Sequence, residues 1–273
     1  MPSRLPDTST PRPRLAVHKF SSCDGCQLSL LNAGEELIAL ADLVDIVHFA
    51  EAGVVDEHAE ADLALVEGSI STPEEAERIQ GVRRRSRLLI PIGACATAGG
   101  PQALRNLADA DAWLAGVYPQ PEQVSALPTA TRIADHVRVD LRLPGCPVNT
   151  RQVLGAVRSL LFGASPVQEN EKVCMECKRR GQVCVLVAKG TPCLGPVTAT
   201  GCGALCPSLG RDCYGCYGPA ENPNPASLAH WLADKGMTAE AVMQRFLYQN
   251  SGAPAFRDAA AYWRTQIGDD GQD

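Results

Sequence analysis

The stretch Leu15-Ala-Val-His-Lys-Phe-Ser-Ser-Cys-Asp-Gly-Cys26 decides the architecture. Its first six residues are strand-type sequence, and they run straight into a loop carrying Cys23 and Cys26 in C-x-x-C spacing. A short apolar run bounded by turn residues reads as a buried strand when similar runs recur between helical segments. Here they recur as Val44-Asp-Ile-Val-His-Phe49, Ala61-Asp-Leu-Ala-Leu-Val66, Leu88-Leu-Ile-Pro-Ile92 and Val137 to Leu143. Helical patterns lie between them. Leu28 to Ala41 has helical apolar spacing, PEEAERIQGVRRR opens at Pro73 after the caps Ser71 and Thr72, and helix formers follow Pro101. Asn149 stands where it can cap a helix running to Phe162. Strands alternating with helices predict an α/β domain with a mostly parallel sheet covered on both faces, and five strands suit a flavodoxin-like sheet.

Two further cysteines sit at equivalent places. Cys95 follows the fourth strand in Ile92-Gly-Ala-Cys-Ala-Thr97, and Cys146 follows the fifth in Leu143-Pro-Gly-Cys-Pro147. With Cys23 and Cys26, all four leave the sheet at carboxyl ends of strands, the edge where open parallel sheets place their ligands. Each part alone has a plainer reading. A C-x-x-C can be a thioredoxin-like dithiol, and Cys95 or Cys146 alone can be a buried core thiol. Thiols at two neighbouring strand ends are not expected of a dithiol motif, so the set favours a four-cysteine metal site.

After Ser165 the texture changes to Gly, Pro and Cys. The remaining eight of the 12 cysteines run Cys174-x2-Cys177-x6-Cys184-x8-Cys193-x8-Cys202-x3-Cys206-x6-Cys213-x2-Cys216, with no histidine among them. Large apolar residues are few in this window, and bound metal is the usual substitute for a hydrophobic core. Soft thiolate sets select zinc or iron–sulfur. Twelve cysteines make three fours with none left over, and a three-site wire favours electron transfer; two structural zincs fit the same spacing. Helical patterns return in ASLAHWLADKG from Ala226, in AEAVMQRFLYQN from Ala239 and near Tyr262. The expected organisation is a disordered Pro-rich leader (1–14), a flavodoxin-like domain (15–165) and a cysteine-rich domain with flanking helices (166–273), frayed from Gly268 onward.

Composition removes several classes. A length of 273 residues suits about two domains. The net charge of −6 argues against a nucleic-acid footprint. No apolar run reaches the ~18 residues of a membrane span. The N-terminus has neither a signal-type apolar core nor a twin-arginine pair, so the cytoplasm is expected, where clustered cysteines bind metal or do redox work. Arg83-Arg84-Arg85 reads as a solvated helix end. No G-x-G-x-x-G follows a strand, so no nucleotide site is encoded, and the loop after the first strand carries cysteines where a flavin protein has a phosphate-binding loop. No nucleophile–base set is visible: His18, His48, His58, His136 and His230 are scattered and read as structural or surface residues. Gln27 reads either as a partner contact or as a helix-surface residue.

The segments Cys23-Asp-Gly-Cys26-Gln-Leu-Ser-Leu30, Gly93-Ala-Cys95-Ala and Pro144-Gly-Cys146-Pro147 together resemble the small subunit of nickel–iron hydrogenases. So do Cys193-Leu-Gly-Pro-Val-Thr198, Cys202 and the pair Cys213/Cys216 before Gly218-Pro219, and the likeness spans about residues 14–220. The resemblance implies a proximal 4Fe–4S cluster on Cys23, Cys26, Cys95 and Cys146, beside the nickel–iron site of a large subunit. It implies a distal 4Fe–4S cluster on Cys174, Cys177, Cys184 and Cys193, with Cys174 and Cys177 in place of the His-x-x-Cys pair of membrane-bound members. The medial cluster falls on Cys202, Cys206, Cys213 and Cys216; four cysteines there imply 4Fe–4S in place of the 3Fe–4S common in the family. These departures resemble cytoplasmic group 3 enzymes, nearest to the delta subunit of NADP-linked bidirectional hydrogenases (sulfhydrogenases). The implied role is an electron relay from a large nickel–iron subunit to a diaphorase-type flavin/iron–sulfur partner linked to NAD(P), with no catalytic residue, nickel, flavin or nucleotide on this chain. Two alternatives remain. A complex I-like quinone oxidoreductase subunit would have adjacent cysteines where this chain has Cys23-Asp-Gly-Cys26 and would lack the eight-cysteine extension. A zinc-stabilised interaction module would be colourless.

Overall fold

The chain's two central strands are β1 (Arg14–Lys19) and β3 (Ala61–Glu67), flanked by β2 (Asp45–Phe49) and β4 (Ser86–Ile92). All pairs are parallel and the order is β2-β1-β3-β4. The computed structural model describes residues 11–167 and 171–267. β1 is buried from Leu15 to His18 and β3 along most of its length, as strands covered on both faces require. Alternation sorts the side chains. Leu15, Val17, Leu63 and Leu65 pack with Leu30, Leu40, Val153 and Leu154, while Ala64, Val66 and Leu89 pack on the other face with Ile79 and Val82.

The helices follow local signals. α1 (Gly25–Leu31) and α2 (Glu35–Ala41) replace the single helix expected over 28–41, because the chain turns between them at Gly34, whose φ is +58°. α3 (Pro73–Arg85) opens on a capping box, with Thr72 Oγ1 accepting from Glu75 N at 3.2 Å and Glu75 Oε2 accepting from Thr72 N at 3.3 Å. α4 (Gly93–Ala98) follows β4 directly, and the segment after Pro101 forms a 3-10 turn over Gly100–Leu107 before α5 (Ala110–Val117). α6 (Thr150–Leu161) is capped by Asn149, whose Oδ1 accepts from Arg151 N at 2.9 Å.

Three expectations need correction. Val137 to Leu143 is not a strand: only Leu143 bridges to Ile92, with Asp140 N donating to Leu89 O and Leu143 N to Pro91 O, both at 3.0 Å. The outward edge of β4 cannot continue the ladder, since Pro91 has no N–H and the Leu89 N–H goes to Asp140 Oδ2 at 2.8 Å. The sheet therefore has four strands. The leader is ordered from Pro11 onward among the described residues: Arg12 pairs with Asp45 and Pro13 O accepts from Asp45 N at 2.9 Å. Its first ten residues, and the end from Gly268, lie outside the described residues. Arg83 is also more than a solvated helix end, since it pairs with Asp140 at 2.6 Å and donates to the carbonyls of Ser86 and Arg87.

Beyond residue 170 come three short helices, α7 (Val173–Arg179), α8 (Val185–Lys189) and α9 (Leu205–Ser208). Then follow α10 (Pro225–Asp234), α11 (Ala239–Leu247) and α12 (Pro254–Gln266). The last three share a core of Leu228, Leu232, Val242, Phe246, Phe256 and Trp263. The cysteine-rich stretch has much less: Val173, Val185 and Ala204 cluster with Cys193 and Cys213, and Ala199 and Ala220 with Tyr217. Among the described residues no helix is long and apolar enough to cross a membrane.

Candidate metal centres

Each thiol of the first set is placed by the carboxyl edge of the sheet. Cys23 lies in the loop after β1, Cys26 in α1, Cys95 in α4, and Cys146 after the Leu143 bridge. Gly93 N donates to Leu143 O at 2.8 Å and Ala94 N to Gly145 O at 2.7 Å, which ties the Cys95 helix to the Cys146 loop. Val148 N reaches Cys26 Sγ at 3.5 Å. The four thiols are electrostatic neighbours. Burial pushes the Cys26 thiol up, with Glu67, Cys95 and Cys146 adding to it. Burial, then Cys146 and Cys23, push Cys95 up to about 12. Cys146 is raised by burial and by Cys23 and Glu67.

The later eight make two expected fours, and their thiols neighbour one another both within and across them. Cys174 is pushed up to about 11 by burial and then by Cys193, Cys177 and Cys184. Cys177 is raised by burial and then by Cys193, Cys184 and Cys202. In the other group, Cys216 is pushed up to about 12 by burial, then by Cys202, Cys146 and Cys206. Cys213 is raised by burial and has Cys193 and Cys216 as its thiol neighbours. One backbone contact joins the two fours, Cys213 N donating to Cys193 Sγ at 3.2 Å, and Cys146 of the first set is a charged neighbour of the Cys216 thiol. Among the described residues no three Cys, His, Asp or Glu side chains converge tightly enough to enclose a single metal ion.

The family profile described as NADH ubiquinone oxidoreductase, 20 Kd subunit, matches residues 23–160. Sulfhydrogenase 2 subunit delta of Pyrococcus furiosus is 37% identical over 212 residues, covering 77% of this chain and 88% of that protein. The chain belongs to the nickel–iron hydrogenase small-subunit family. A subunit of the vhu F420-non-reducing hydrogenase from Methanococcus voltae is 31% identical, covering 82% of this chain and 88% of its own length. Among solved structures, an NAD+-reducing NiFe-hydrogenase in the H2-reduced state matches with TM-score 0.53 and 29% identity, over 57% of this chain and 95% of its own. The actinobacterial-type NiFe-hydrogenase from Ralstonia eutropha H16 shares the fold at TM-score 0.55 and 16% identity, over 97% and 93% of the two chains. As a hydrogenase small subunit the chain is part of an oxidoreductase acting on hydrogen, in the iron–sulfur electron-transfer role of that subunit.

The residues fit the iron–sulfur groups of this family. The thiolate is the ligand form, and here burial and neighbouring thiolates disfavour it until a cationic group lies between them. A Cβ at Gly93, where φ is +85°, would overlap Cys26 Sγ, and one at Gly100 would lie 2.6 Å from Cys95 Sγ. Gln27 is fully buried, and neither its Oε1 nor its Nε2 has a partner. An orphaned amide beside Cys26 suits hydrogen bonding to a group held by that cysteine. Gln27 is thus neither a surface residue nor a partner contact, because its side chain turns inward with Leu30 three residues on.

The hydrogenase small subunit also uses residues that the motifs do not announce. Glu67 closes β3 with 2% exposure and accepts from Cys26 N and Gln27 N, both at 3.0 Å. Asn250 Nδ2 donates to Gly215 O at 2.8 Å and Gly252 N to Ala98 O at 3.1 Å, so the segment between α11 and α12 braces both the Cys213/Cys216 loop and the Cys95 helix. The histidines sit apart in structural roles: His18 and His48 stack at 4.6 Å, and His136 Nε2 meets Thr131 Oγ1 at 2.7 Å.

Proposed function

We propose that this chain is the electron-relay small subunit of a cytoplasmic nickel–iron hydrogenase, with a large nickel–iron subunit as partner on the side of Cys23, Cys26, Cys95 and Cys146. Those four residues hold the proximal 4Fe–4S cluster. Cys202, Cys206, Cys213 and Cys216 hold the medial 4Fe–4S cluster, and Cys174, Cys177, Cys184 and Cys193 the distal one. When bound, the three clusters supply one-electron carriers in series between the hydrogen-splitting site of the large subunit and a diaphorase-type, NAD(P)-linked flavin partner. The division into a proximal domain (15–165) and a two-cluster domain (166–273) follows from this allocation.

One observation carries the order of the relay. The Cys213 N–H reaches Cys193 Sγ at 3.2 Å, which joins the medial to the distal quartet, and Cys146 is a charged neighbour of the Cys216 thiol, which puts the proximal quartet next to the medial one. Peptide N–H groups aimed at ligand sulfurs favour the more negative, reduced state. The protein's own contribution is to hold the thiols apart from bulk water, to orient these donors and to fix the quartets in sequence. Two relatives favour the hydrogenase setting over a quinone-reductase one, because they match beyond residue 160, where the 20 Kd subunit profile ends.

The test is anoxic purification of the complex of this chain with its large subunit. Iron and acid-labile sulfide are expected at about 12 each per copy of this chain, with broad visible absorption. A colourless, zinc-loaded preparation overturns the assignment. Hydrogen-dependent reduction of NADP, with the neighbouring flavin subunit present, tests the electron acceptor; reduction of a quinone alone would place the chain in the other branch.

A further inference from the structure

Glu176 lies between two cysteines of one quartet but binds the loop of another. It is the third residue of Cys174-Met-Glu-Cys177 in α7, and its carboxylate reaches across to residues 201–204. Oε1 accepts from Gly201 N and Gly203 N, both at 3.1 Å, and Oε2 accepts from Ala204 N at 2.9 Å. The Cys202 thiol stands 4.0 Å from Oε2. The loop presents these N–H groups together because Gly201, Gly203 and Ala204 all have positive φ, at 135°, 65° and 51°. Successive N–H groups in such backbone form a concave anion cradle, and here the anion is a side chain of this chain. Arg180, one turn on, lies over Gly203.

We propose that Glu176 is the positioning residue that anchors the Cys202 loop to the Cys174–Cys177 helix and holds the medial cluster at a lower potential than an amide at that position would. The inference rests on the allocation of Cys202, Cys206, Cys213 and Cys216 to one cluster. Its physical basis has two parts. An ionised carboxylate accepts only, and charge-assisted bonds from three N–H groups fix a loop that is otherwise rich in glycine. The same carboxylate adds a negative charge beside the Cys202 ligand, 4.0 Å from its sulfur. That charge disfavours the extra electron of the reduced state. One residue of the distal motif thereby sets the geometry and the potential of the neighbouring centre.

The experiment compares wild type and Glu176→Gln in the intact hydrogenase complex, by iron analysis and by EPR-monitored redox titration. Glu176→Gln keeps the shape of the side chain but removes the charge beside Cys202. The medial midpoint is expected to rise while the proximal and distal midpoints stay in place; selective loss of the medial signal with the other two retained also supports the proposal. Three unchanged midpoints overturn it, and so does joint loss of all three clusters, which would mark a general folding role. A wild-type complex with iron on the first quartet alone would instead sink the three-cluster reading. Glu176→Ala serves as the second variant: a rise is again expected, and no rise counts against the proposal.

Discussion

The carboxylate of Glu67, at the end of β3, accepts the backbone N–H of Cys26 at 3.0 Å. The second oxygen accepts from the next peptide, Gln27 N, at the same distance. A buried acid thus fixes the first turn of α1, where the N–H groups have no helical partner. Replacing Glu67 with Leu leaves two buried donors unpaired, at about 1–3 kcal/mol each. The expected result is a lower denaturation midpoint and a loss of about four irons, with the iron of the later quartets retained. Denaturation and iron analysis in parallel check this, and an unchanged midpoint refutes it.

Gly93 lets α4 pass the Cys26 thiol. Its φ of +85° costs an L-residue about 1–2 kcal/mol, and a Cβ would also collide with Sγ. Gly93→Ala is therefore expected to fold yet lose the proximal EPR signal, whereas Gly116→Ala, with open space around its Cβ, should keep it. Equal spectra from the two variants would show that close approach is not what Gly93 provides.

Much of this was legible in the sequence, because it is written locally. The strand from Leu15 to the C-x-x-C loop, the Thr72–Glu75 capping box and the Asn149 cap depend on neighbours a few residues apart. The strand expected over 137–143 failed for a nonlocal reason: its alternation suits a strand, but the edge it would join is broken by Pro91. Gln27 was misread although a signal existed, since its spacing of three from Leu30 puts both on the buried face of α1. Glu67 also left a trace, as an acid closing a strand that is apolar from Leu63 to Val66. Glu176 left none, because its partners lie 25 to 28 residues downstream and are backbone groups that no side-chain pattern reports.

The C-terminal helices hold the Cys213/Cys216 loop by charge as well as by packing. Arg245 of α11 forms an ion pair with Asp212, directly before Cys213, and lies 5.5 Å from the Tyr214 ring centre. The side chains are 20% and 11% exposed, so the pair is largely desolvated. Removing one partner of such a pair costs about 3–5 kcal/mol, because the other charge stays buried alone. Arg245→Met should lower thermal stability and weaken the medial signal. Adding Asp212→Asn to Arg245→Met should recover part of the loss, since the stranded charge is gone. A double variant no better than the single one would mean that the pair matters for shape and not for charge.

The stacked histidines make acid stability measurable apart from the clusters. His18 is 3% exposed, and burial, then His48, Arg78 and Arg85, lower its pKa to about 3 from the usual 6.5. His48, stacked on it, is also lowered, chiefly by burial. The unfolded chain binds a proton at His18 that the folded chain refuses. The stability involved is therefore complete above pH 6.5 and declines as the pH falls toward 3, by about 1.4 kcal/mol per unit from this one group. Phenylalanine keeps a ring against His48 but cannot take the proton. Urea denaturation of wild type and His18→Phe at pH 7 and pH 5.5 should differ in pH sensitivity by about 1 kcal/mol, with wild type losing more. Because cluster lability in acid acts on both proteins alike, it cancels in the comparison, and equal losses would show that His18 is not held neutral in the fold.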